Sequence, residues 1–456
     1  MSDLIAALST PPVPSAIGIL RLSGPGAAAA ADRVFRAQSG RPLAQTPPGR
    51  LVYGSLLDRE GRTIDQVLAT ASFAPRSYTG EDTAELHCHG SPTVLAMALE
   101  ALYAAGARPA RPGEFTQRAF LNGKLDLTQA EAVADLLDAR TDAAVHAAAG
   151  QLTGALSRRV EEVYDGLVDQ MAHFHAVLDY PDEDIDPFRE QELAGALGAA
   201  EGKLSALLGT YDRGKYLARG VPCAIVGAPN AGKSSLLNAL LGYERAIVTP
   251  VAGTTRDTVE ETVRLGGVLL RLIDTAGLRD TDDQAERLGV ERSRRAMEEA
   301  GLVLVLWDSS KPATEEDVAL LLEAAGRGPA ILVGTKSDLP TAPMPFLTLP
   351  EDLPRVMVSA KTGAGLDGLA AAIAALFPRG EEAEAGAILT NARQAQAAQR
   401  ALEALTAARA GLTAGITPDA VLTDVEGALA ALGELTGRTV REDVVDRIFS
   451  RFCVGK

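Results

Sequence analysis

The sequence predicts a multidomain fold of the α/β plus α type, in which a doubly wound domain is inserted into a helical one. Three observations predict it. Residues 221–378 alternate apolar strand patterns with helical patterns, as a doubly wound sheet does. Apolar residues recur at three- and four-residue spacing from about Gln129 to Tyr216, and again after residue 380. The first 120 residues instead mix short β-type segments with one alanine-rich helix pattern.

These patterns divide the chain into four segments. We expect an α+β domain over residues 1–120, ending near the Pro- and Gly-rich stretch 108–113. Residues 121–220 and 380–456 are expected to form the two halves of one helical domain, with residues 221–379 inserted between them. A chain of 456 residues is long enough for each of these domains to bury its own core.

The N-terminal segment carries a hairpin and a strand–helix pair. Strand patterns at residues 52–57 and 66–71 flank the polar stretch 58–62, which reads as a turn. A further strand pattern covers Ala84–Gly90, and a helix is predicted to begin at Pro92. The segment is therefore predicted to be a small α+β domain.

The composition is that of a soluble globular protein, with 46% hydrophobic and 23% charged residues. The chain starts with an early acid and no basic run, which argues against a secretory signal. The apolar run Leu302–Trp307 is too short to span a bilayer. Cys88, Cys223 and Cys453 are odd in number and widely spaced, which favours a reducing cytoplasm without structural disulfides.

The formal net charge of −16 restricts how the chain can meet nucleic acid. Residues 121–220 carry 18 acidic and 9 basic side chains, whereas residues 1–120 are almost balanced. Contacts to phosphate need Lys and Arg close together, so this chain is not expected to coat nucleic acid by itself. An RNA partner would require either a local cationic patch or a second protein that supplies positive surface.

A complete phosphate-binding loop, G-x-x-x-x-G-K-S, occupies Gly227–Ser234. It follows an apolar strand pattern and opens a helical one, which is the context that its mechanism requires. Backbone N–H groups and the helix N-terminus would hold the phosphates, while Lys233 reaches the outer ones and Ser234 ligates Mg²⁺. The loop predicts binding of a nucleoside triphosphate.

Two later motifs belong to the phosphate side of the same site. Gly253–Asp257 offers the hydroxyl of Thr255 as a second Mg²⁺ ligand. A strand pattern leads into Asp274–Gly277, the sequence Asp-Thr-Ala-Gly, which is expected to sense the γ-phosphate. Both motifs follow the phosphate loop in the order that a switch domain requires.

Two more motifs belong to the base side. The carboxylate of Asp338, in Thr335–Asp338, can accept hydrogen bonds from the ring N–H and amino group of guanine, which adenine does not offer. Ser359–Lys361 is expected to close the base pocket. The residues predicted to contact GTP are Asn230, Ala231, Gly232, Lys233, Ser234, Ser235, Thr249, Thr254, Thr255, Asp274, Thr275, Ala276, Gly277, Thr335, Lys336, Ser337, Asp338, Ser359, Ala360 and Lys361.

These motifs resemble a translation-factor-type GTPase domain, with two departures. Most relatives have Asn where this chain has Thr335, whose hydroxyl can still make a local hydrogen bond. Leu278 replaces the Gln that orients the attacking water in many GTPases, so hydrolysis needs another base and another positive charge. Glu286 is one candidate base, although it also reads as an ordinary exposed helix acid. Asn230 could ligate a monovalent cation between the phosphates.

Taken over its whole length, the chain resembles the MnmE (TrmE) family of tRNA-modification GTPases. The resemblance covers essentially all 456 residues and implies a Ras-like inserted G domain. The segments that carry it, besides the GTPase motifs, are Gly18–Gly24, Tyr78–Asp82, Arg111–Thr116, Leu121–Leu127 and the ending Phe452–Lys456. Its Cys-x-Gly-Lys ending is far more specific than the GTPase motifs, which many families share.

The resemblance implies a tetrahydrofolate one-carbon carrier, 5-formyl- or 5,10-methylene-tetrahydrofolate, bound in an N-terminal domain that also dimerises. The positions that match the folate contacts are Arg21, Glu85, Lys124 and Lys456. Cys453 has two readings: it is a residue of a loose tail, or its thiolate takes part in the modification chemistry at the folate site.

The resemblance also implies that potassium replaces the arginine finger and promotes pairing of the G domains. The matching potassium ligands are Asn230, Thr249, Val251 and Thr254. Glu286 matches the acid that orients the hydrolytic water in the family.

Two functions from different classes follow. In the first, a GTP-hydrolysing subunit works with an FAD-containing partner of the MnmG (GidA) type. Together they add an aminomethyl or carboxymethylaminomethyl group at C5 of the wobble uridine, U34, of tRNA. In the second, the chain is a ribosome-assembly or regulatory GTPase whose flanking domains only dock.

Overall fold

The computed structural model describes residues 3–179, 190–243, 261–273, 294–342, 352–378, 385–439, 442–450 and 452–455. The chain forms two compact units. One comprises Met1–Ala134, Leu152–Glu201 and Ala397–Lys456, and the other comprises Asp135–Gln151 and Gly202–Gln396. The domain boundaries that the sequence suggests at residues 120, 220 and 379 remain predictions.

The first unit contains a mixed sheet with the strand order β3-β4-β5-β6-β2-β1-β7. Its strands are β1 Ile5–Leu8, β2 Ser15–Ser23, β3 Phe35–Ala37, β4 Val52–Leu57, β5 Thr63–Ser72, β6 Thr83–Gly90 and β7 Arg108–Pro109. Strands β4 and β5 pair antiparallel across the turn at residues 58–62, which confirms the predicted hairpin. The strand–helix pair is confirmed as β6 followed by a helix over Pro92–Ala104.

Two helices cover one face of this sheet: α1 over Ala27–Val34 and α2 over Pro92–Ala104. Buried residues alternate along β2 and β6, where Leu20, Leu22 and Leu86 point into the core. This period of two leaves the residues between them, including Arg21 of β2, outside that core. The opposite face of these two strands therefore remains available for a site.

The helical part of the first unit combines distant parts of the chain. Its helices include α3 Glu114–Leu121, α6 Ala155–Asp179, α13 Pro418–Thr436 and α14 Glu442–Phe449. Helix α6 packs against α13. Arg438 pairs with Glu161 at 3.1 Å and lies over the ring of Tyr164, and Arg409 pairs with Glu201 at 2.8 Å. These contacts confirm the prediction of one helical domain made from two sequence halves.

The second unit is organised around a doubly wound sheet with the strand order β13-β12-β11-β8-β10-β9. Neighbouring strands run parallel except β9, which is antiparallel to β10. The strands are β8 Val221–Gly227, β9 Glu261–Leu265, β10 Val268–Leu272, β11 Leu302–Asp308, β12 Ala330–Thr335 and β13 Arg355–Met357. Its helices include α9 Lys233–Tyr243, α10 Glu315–Arg327 and α11 Leu366–Leu376.

Strand β11 shows why the sheet forms. Every residue of β11 is buried. Leu304 and Leu306 pack into the core on one face, whereas Val305 and Trp307 pack into the core on the other. A strand buried on both faces reads as a continuous apolar run, which is the pattern seen in the sequence.

Other helices in the described part of the chain are α4 Leu127–Asp138, α5 Asp142–Leu152, α7 Glu190–Leu208, α8 Tyr211–Arg219 and α12 Ala392–Thr413. Helix α8 belongs to the second unit, and Tyr216 packs edge-on against Phe377 with ring centroids 5.7 Å apart. Gln151 donates to the carbonyl of Ile388 at 2.7 Å. Within the described ranges, no helix combines the length and apolar character needed to cross a bilayer.

Candidate functional site

The phosphate loop lies between the end of β8 and the start of α9, as predicted. Asn230 and Gly232 have positive φ angles of 61° and 92°, which turn the backbone tightly ahead of the helix. The ammonium of Lys233 donates to the carbonyls of Gly227 and Ala228 at 2.8 and 3.0 Å. The loop therefore holds its lysine at the helix N-terminus, where phosphate oxygens are stabilised by backbone N–H groups.

Lys233 is also partly removed from water. Burial lowers the pKa of its ammonium because the charged form loses hydration. The two carbonyls around Nζ offer dipoles but no full negative charge. An anionic phosphate group would compensate the lost hydration far better, so the loop is preorganised for an anionic ligand.

The base-recognition loop follows β12, and Asp338 lies opposite Ser359. The Ser359 hydroxyl donates to the Asp338 carboxylate at 2.8 Å. This hydrogen bond, with the nearby charge of Lys361, holds the pKa of Asp338 below its ordinary value. Asp338 is thus kept ionised, as it must be to accept hydrogen bonds from guanine.

Thr335 connects the base-recognition loop to the phosphate loop. Its buried hydroxyl lies 2.7 Å from the carbonyl of Ala231 and 3.1 Å from that of Trp307. Thr335 does make hydrogen bonds in place of Asn, but its acceptors lie on other elements, 104 and 28 residues away, and not nearby in the chain as expected. Because Ala231 belongs to the phosphate loop, this one hydroxyl links the two halves of the nucleotide site.

Lys336 has a partner that the sequence reading missed. Its ammonium lies 2.7 Å from the carboxylate of Asp308, at the end of β11, and its φ angle is +58°. Ser309 braces the same turn, since its hydroxyl donates to the carbonyl of Thr335 at 2.6 Å. The signal available in the sequence was an acid at the end of a continuous apolar strand pattern.

The described part of the chain brings one group of predicted nucleotide residues to the carboxyl edge of the sheet. These residues are Asn230, Ala231, Gly232, Lys233, Ser234, Ser235, Thr335, Lys336, Ser337, Asp338, Ser359, Ala360 and Lys361. The others lie outside the described residues: Thr249, Val251, Thr254, Thr255, Asp274, Thr275, Ala276, Gly277, Leu278, Glu286 and, in the N-terminal candidate site, Lys456.

In the N-terminal domain, Arg21 and Glu85 form an ion pair. They are direct cross-strand partners on β2 and β6, and Nε of Arg21 lies 2.9 Å from Glu85. Burial by itself would raise the pKa of Glu85, but the Arg21 charge and the hydrogen bond from His87 outweigh it and lower the pKa. The sheet thus holds an ionised carboxylate beside a guanidinium on the face opposite the core.

Two aromatic rings flank Arg21. The guanidinium lies 5.8 Å from the ring centroid of Tyr78 and 5.8 Å from that of Phe115. The hydroxyl of Tyr78 makes a hydrogen bond of 2.9 Å with Thr116. Lys124, another predicted folate contact, donates to the carbonyl of Pro75 at 3.2 Å, in the same loop as Tyr78.

The C-terminal segment is fixed against the same domain. Gly113 donates its N–H to the carbonyl of Cys453 at 3.2 Å, and the hydroxyl of Ser9 donates to the carbonyl of Gly455 at 3.1 Å. At Gly455, φ is +93° and a Cβ would lie 2.3 Å from the carbonyl oxygen of Leu8. The reading of Cys453 as part of a loose tail is therefore wrong, since its backbone is docked while its side chain is exposed.

A buried ionic cluster supports this arrangement, and the sequence reading missed it. Arg118 pairs with Glu114 at 3.0 Å and with Glu81 at 2.9 Å, and Arg108 also reaches Glu114. Glu114 begins α3, the helix that carries Phe115 and Thr116 toward Arg21 and Tyr78. The cluster therefore positions the aromatic wall around the ion pair.

The three cysteines differ sharply in environment. Cys88 and Cys223 are buried, and burial raises the pKa of each thiol to about 12. The prediction that Cys223 is a buried packing residue is confirmed. Cys453 is exposed, so it is the cysteine whose thiol solvent and ligands reach.

Comparisons with known proteins cover the whole chain. Residues 4–124 match the family described as GTP-binding protein TrmE N-terminus, and residues 127–453 match the MnmE helical domain. A tRNA modification GTPase MnmE from Chloroflexus aurantiacus is 46% identical over 460 residues, which is 100% of both chains. The protein of that name from Heliobacterium modesticaldum is 42% identical over 466 residues, again 100% of both. Among solved structures, the G domain of the T. maritima FeoB iron transporter is 27% identical, covers 34% of this chain and 98% of that chain, and has a TM-score of 0.24.

Proposed function

Because this chain belongs to the MnmE family of tRNA modification GTPases, we propose that its GTP hydrolysis drives modification of the wobble uridine, U34. The modification is the addition of an aminomethyl or carboxymethylaminomethyl group at C5 of that base. The observation that carries the proposal is the 46% identity that extends over the full length of both chains, including the non-nucleotide domains. A GTPase whose flanking domains only dock to a partner would not need the N-terminal candidate site.

In GTP hydrolysis, the chain's first task is to bind and orient the nucleotide. The phosphate loop and Lys233 hold the phosphates, and Asp338 selects guanine through its ionised carboxylate. Ser234 and Thr255 are the residues that would hold Mg²⁺, which neutralises charge on the phosphates. Glu286 would orient the attacking water, since Leu278 cannot polarise it.

A potassium ion at Asn230 would supply the positive charge that other GTPases take from an arginine finger. Asn230 fits this role because it is exposed within the phosphate loop and carries an amide oxygen of the kind that alkali cations accept as ligand. Thr249, Val251 and Thr254 would complete the ligand set. The bound potassium ion would also promote the pairing of two G domains.

The N-terminal site suits a tetrahydrofolate derivative, which would supply the one-carbon unit as its 5-formyl or 5,10-methylene form. The residues fit because Glu85 is an ionised acceptor and Arg21 a fixed donor, with two aromatic rings beside them. Lys124 and Lys456 are the cations expected to bind the glutamate tail. Cys453, exposed at the docked C-terminus, would be placed to take part in the chemistry.

Three partners complete the proposed function. The chain is expected to form a homodimer through its N-terminal domain and to work in the cytoplasm. An FAD-containing protein of the MnmG (GidA) type would perform the redox step, in a heterotetramer or larger assembly. The tRNA is the substrate, and the net charge of −16 suits a complex in which the flavoprotein provides much of the RNA-binding surface.

Folate binding is the most direct test of the N-terminal site. Isothermal titration of the full chain with 5-formyltetrahydrofolate is expected to show binding, and Arg21→Ala is expected to weaken it by about 30-fold, because a charge-assisted bond is lost. Arg36→Ala, an exposed arginine of β3 in the same domain, is the matched control and should bind normally. No binding by the wild type, or equal loss in both variants, would rule out the site.

The cation is tested separately by GTP hydrolysis. We expect faster hydrolysis in K⁺ than in Na⁺ at equal ionic strength, and Asn230→Ala should remove the difference. Equal rates in the two salts would contradict the role of Asn230. The competing assignment, a ribosome-assembly or regulatory GTPase, predicts no folate binding, so the calorimetric experiment also discriminates between the two functions.

A further inference from the structure

A cavity of about 140 Å³ lies in the second unit, and none of the predicted nucleotide-binding residues lines it. It is bounded by helix α8, the start of β8, the end of β10 and residues 390–391. The side chains that matter for its chemistry are Tyr211, Lys215, Tyr216, Arg219, Arg271 and Asn391. The expected function assigns no role to this cavity.

The cavity is cationic in a strongly acidic protein. Lys215, Arg219 and Arg271 line it, and none of its lining residues is acidic. The last carbonyls of α8 add roughly half a negative charge at that helix end. Asp212, which pairs with Lys215, adds one more, and the three cations still leave the region net positive. With a net charge of −16 for the chain, such a concentration of positive charge marks a place for an anion.

Lys215 is held in position by its neighbours. Its ammonium lies 4.8 Å from the ring centroid of Tyr216 and 5.7 Å from that of Tyr211, and it pairs with Asp212 at 3.1 Å. Burial alone would lower the pKa of Lys215, but the hydrogen bond to Asp212 and the nearby tyrosines raise it. Its charge is therefore secure at neutral pH.

Gly220 lines the cavity where α8 ends. Its φ angle is +80°, and a Cβ there would lie 3.0 Å from the carbonyl oxygen of Leu269 and 3.2 Å from Cγ of Arg271. Only glycine allows the end of α8 to approach β10 so closely. The close approach places the residue after Arg219 next to Arg271, and both arginines line the cavity, so the cationic lining is fixed by the backbone.

We propose that this cavity binds a phosphate group of the RNA backbone, and the inference rests on the proposed function in tRNA modification. Guanidinium groups recognise phosphate through paired hydrogen bonds, and an ammonium adds a point charge. The tyrosine rings suit the sugar or base next to that phosphate. The cavity is thus the local cationic site that an RNA partner requires of so acidic a chain.

The test uses the full chain and an unmodified tRNA transcript, with affinity measured by fluorescence anisotropy over a range of salt. Lys215→Gln with Arg219→Gln is expected to weaken RNA binding about tenfold and to reduce the salt slope by about one, because the cavity neutralises one phosphate. Arg213→Gln is the matched control, because Arg213 is an exposed cation of the same helix outside the cavity. Arg213→Gln should change the affinity for RNA much less than the double variant does.

Several results would overturn the proposal. Unchanged affinity in the double variant would do so, and so would an equal loss in Arg213→Gln, which would indicate only diffuse charge. Inorganic phosphate should displace RNA better than chloride at equal ionic strength, and equal displacement would also contradict it. Binding of inorganic phosphate that depends on Arg219, without any effect on RNA affinity, would assign the cavity to free phosphate instead.

The failure of this inference can be distinguished from failure of the proposed function. Unchanged GTP hydrolysis in the double variant shows that it folds, since neither residue belongs to the nucleotide site. If wild-type protein forms the modified nucleoside but the double variant binds RNA normally, only the cavity assignment falls. If wild-type protein, combined with its flavoprotein partner, GTP, K⁺ and folate, forms no modified nucleoside, the proposed function itself is contradicted.

Discussion

In the nucleotide-binding domain, the residues that hold the phosphates are neighbours in sequence, whereas the N-terminal candidate site is assembled from distant parts of the chain. Gly227 to Ser234 form one loop between a strand and a helix. Arg21 and Glu85 meet only because β2 pairs with β6, and Cys453 arrives from the chain's other end. The first site depends on local backbone geometry, and the second depends on tertiary structure. Substitutions should therefore affect the two sites differently.

The largest expected effect is loss of GTP hydrolysis with no change in folate binding. Lys233→Ala should slow GTP hydrolysis by about a thousandfold or more, because it removes the cation that stabilises charge on the outer phosphate oxygens. Binding of 5-formyltetrahydrofolate to the same variant should be unchanged, since the loop is not part of that site. The measurement is single-turnover hydrolysis alongside calorimetry, with Lys311→Ala, an exposed lysine after β11, as the control. Hydrolysis that survives in Lys233→Ala would contradict the assignment of the loop.

A second substitution tests the dependence of the N-terminal site on tertiary structure. Glu114→Gln should lower the free energy of unfolding by about 2 kcal/mol, because Arg108 and Arg118 lose one charged acceptor while both keep Asp3. Chemical denaturation measures this change. Glu60→Gln, which breaks only an exposed pair with Arg62, is the control and should cost under about 0.5 kcal/mol.

The same cluster predicts a pH dependence. Burial would raise the pKa of Glu114, but hydrogen bonds from Arg108, from the backbone N–H of Arg111 and from Arg118 outweigh it and lower the pKa to about 2. A lowered carboxyl pKa stabilises the fold above the ordinary value of 4.5, and that contribution is lost as the pH falls toward 2. Unfolding of the wild type should therefore become easier over that interval, and Glu114→Gln should show less of this dependence. Identical pH profiles would contradict the assignment.

A smaller effect is expected where a single hydroxyl joins two loops. Thr335→Val keeps the side-chain shape but leaves the buried carbonyl of Ala231 without its donor, which should weaken GDP binding about tenfold. Thr335→Ser restores the hydroxyl and should recover most of the affinity. Fluorescent GDP titration measures both variants, and thermal melting without nucleotide checks their folding. Equal affinities for the Val and Ser variants would show that the link does not shape the site.

The smallest effect concerns the reactivity of the three cysteine thiols toward an alkylating reagent. Iodoacetamide at about pH 8 should modify Cys453 in the native protein and leave Cys88 and Cys223 unmodified, because thiols with raised pKa in buried positions provide almost no thiolate. Peptide mass spectrometry locates the label. Labelling of Cys88 at the rate of Cys453 would show that the N-terminal sheet opens far more readily than its packing indicates.

The comparison also explains what the sequence could predict. The phosphate loop, the hairpin over residues 52–71 and the apolar strand β11 were predictable because their signals are local: a motif, a turn, a continuous apolar run. Only the resemblance to a family indicated that Arg21 and Glu85 belong to one site. The two residues are 64 positions apart, and neither strand's sequence determines the register in which the strands pair.

Other features had no readable signal at all. The cluster around Glu114 and Arg118 consists of charged side chains, which a sequence pattern normally predicts to be on the surface. The hydroxyl of Thr335 finds its acceptor 104 residues away, at Ala231. Such contacts depend on how separate elements pack, and a pattern within one element does not contain that information.

Reconstitution tests the central claim most directly, that GTP hydrolysis here drives a folate-dependent modification of tRNA. The full chain would be combined with an MnmG-type flavoprotein, GTP, K⁺, unmodified tRNA and tetrahydrofolate carrying a carbon-13-labelled one-carbon unit. Nucleosides would then be analysed by mass spectrometry. We predict a C5-substituted uridine at position 34 that carries the label, forms only with GTP, and is lost with Arg21→Ala. A product without the label, or no product with every component present, would contradict the account.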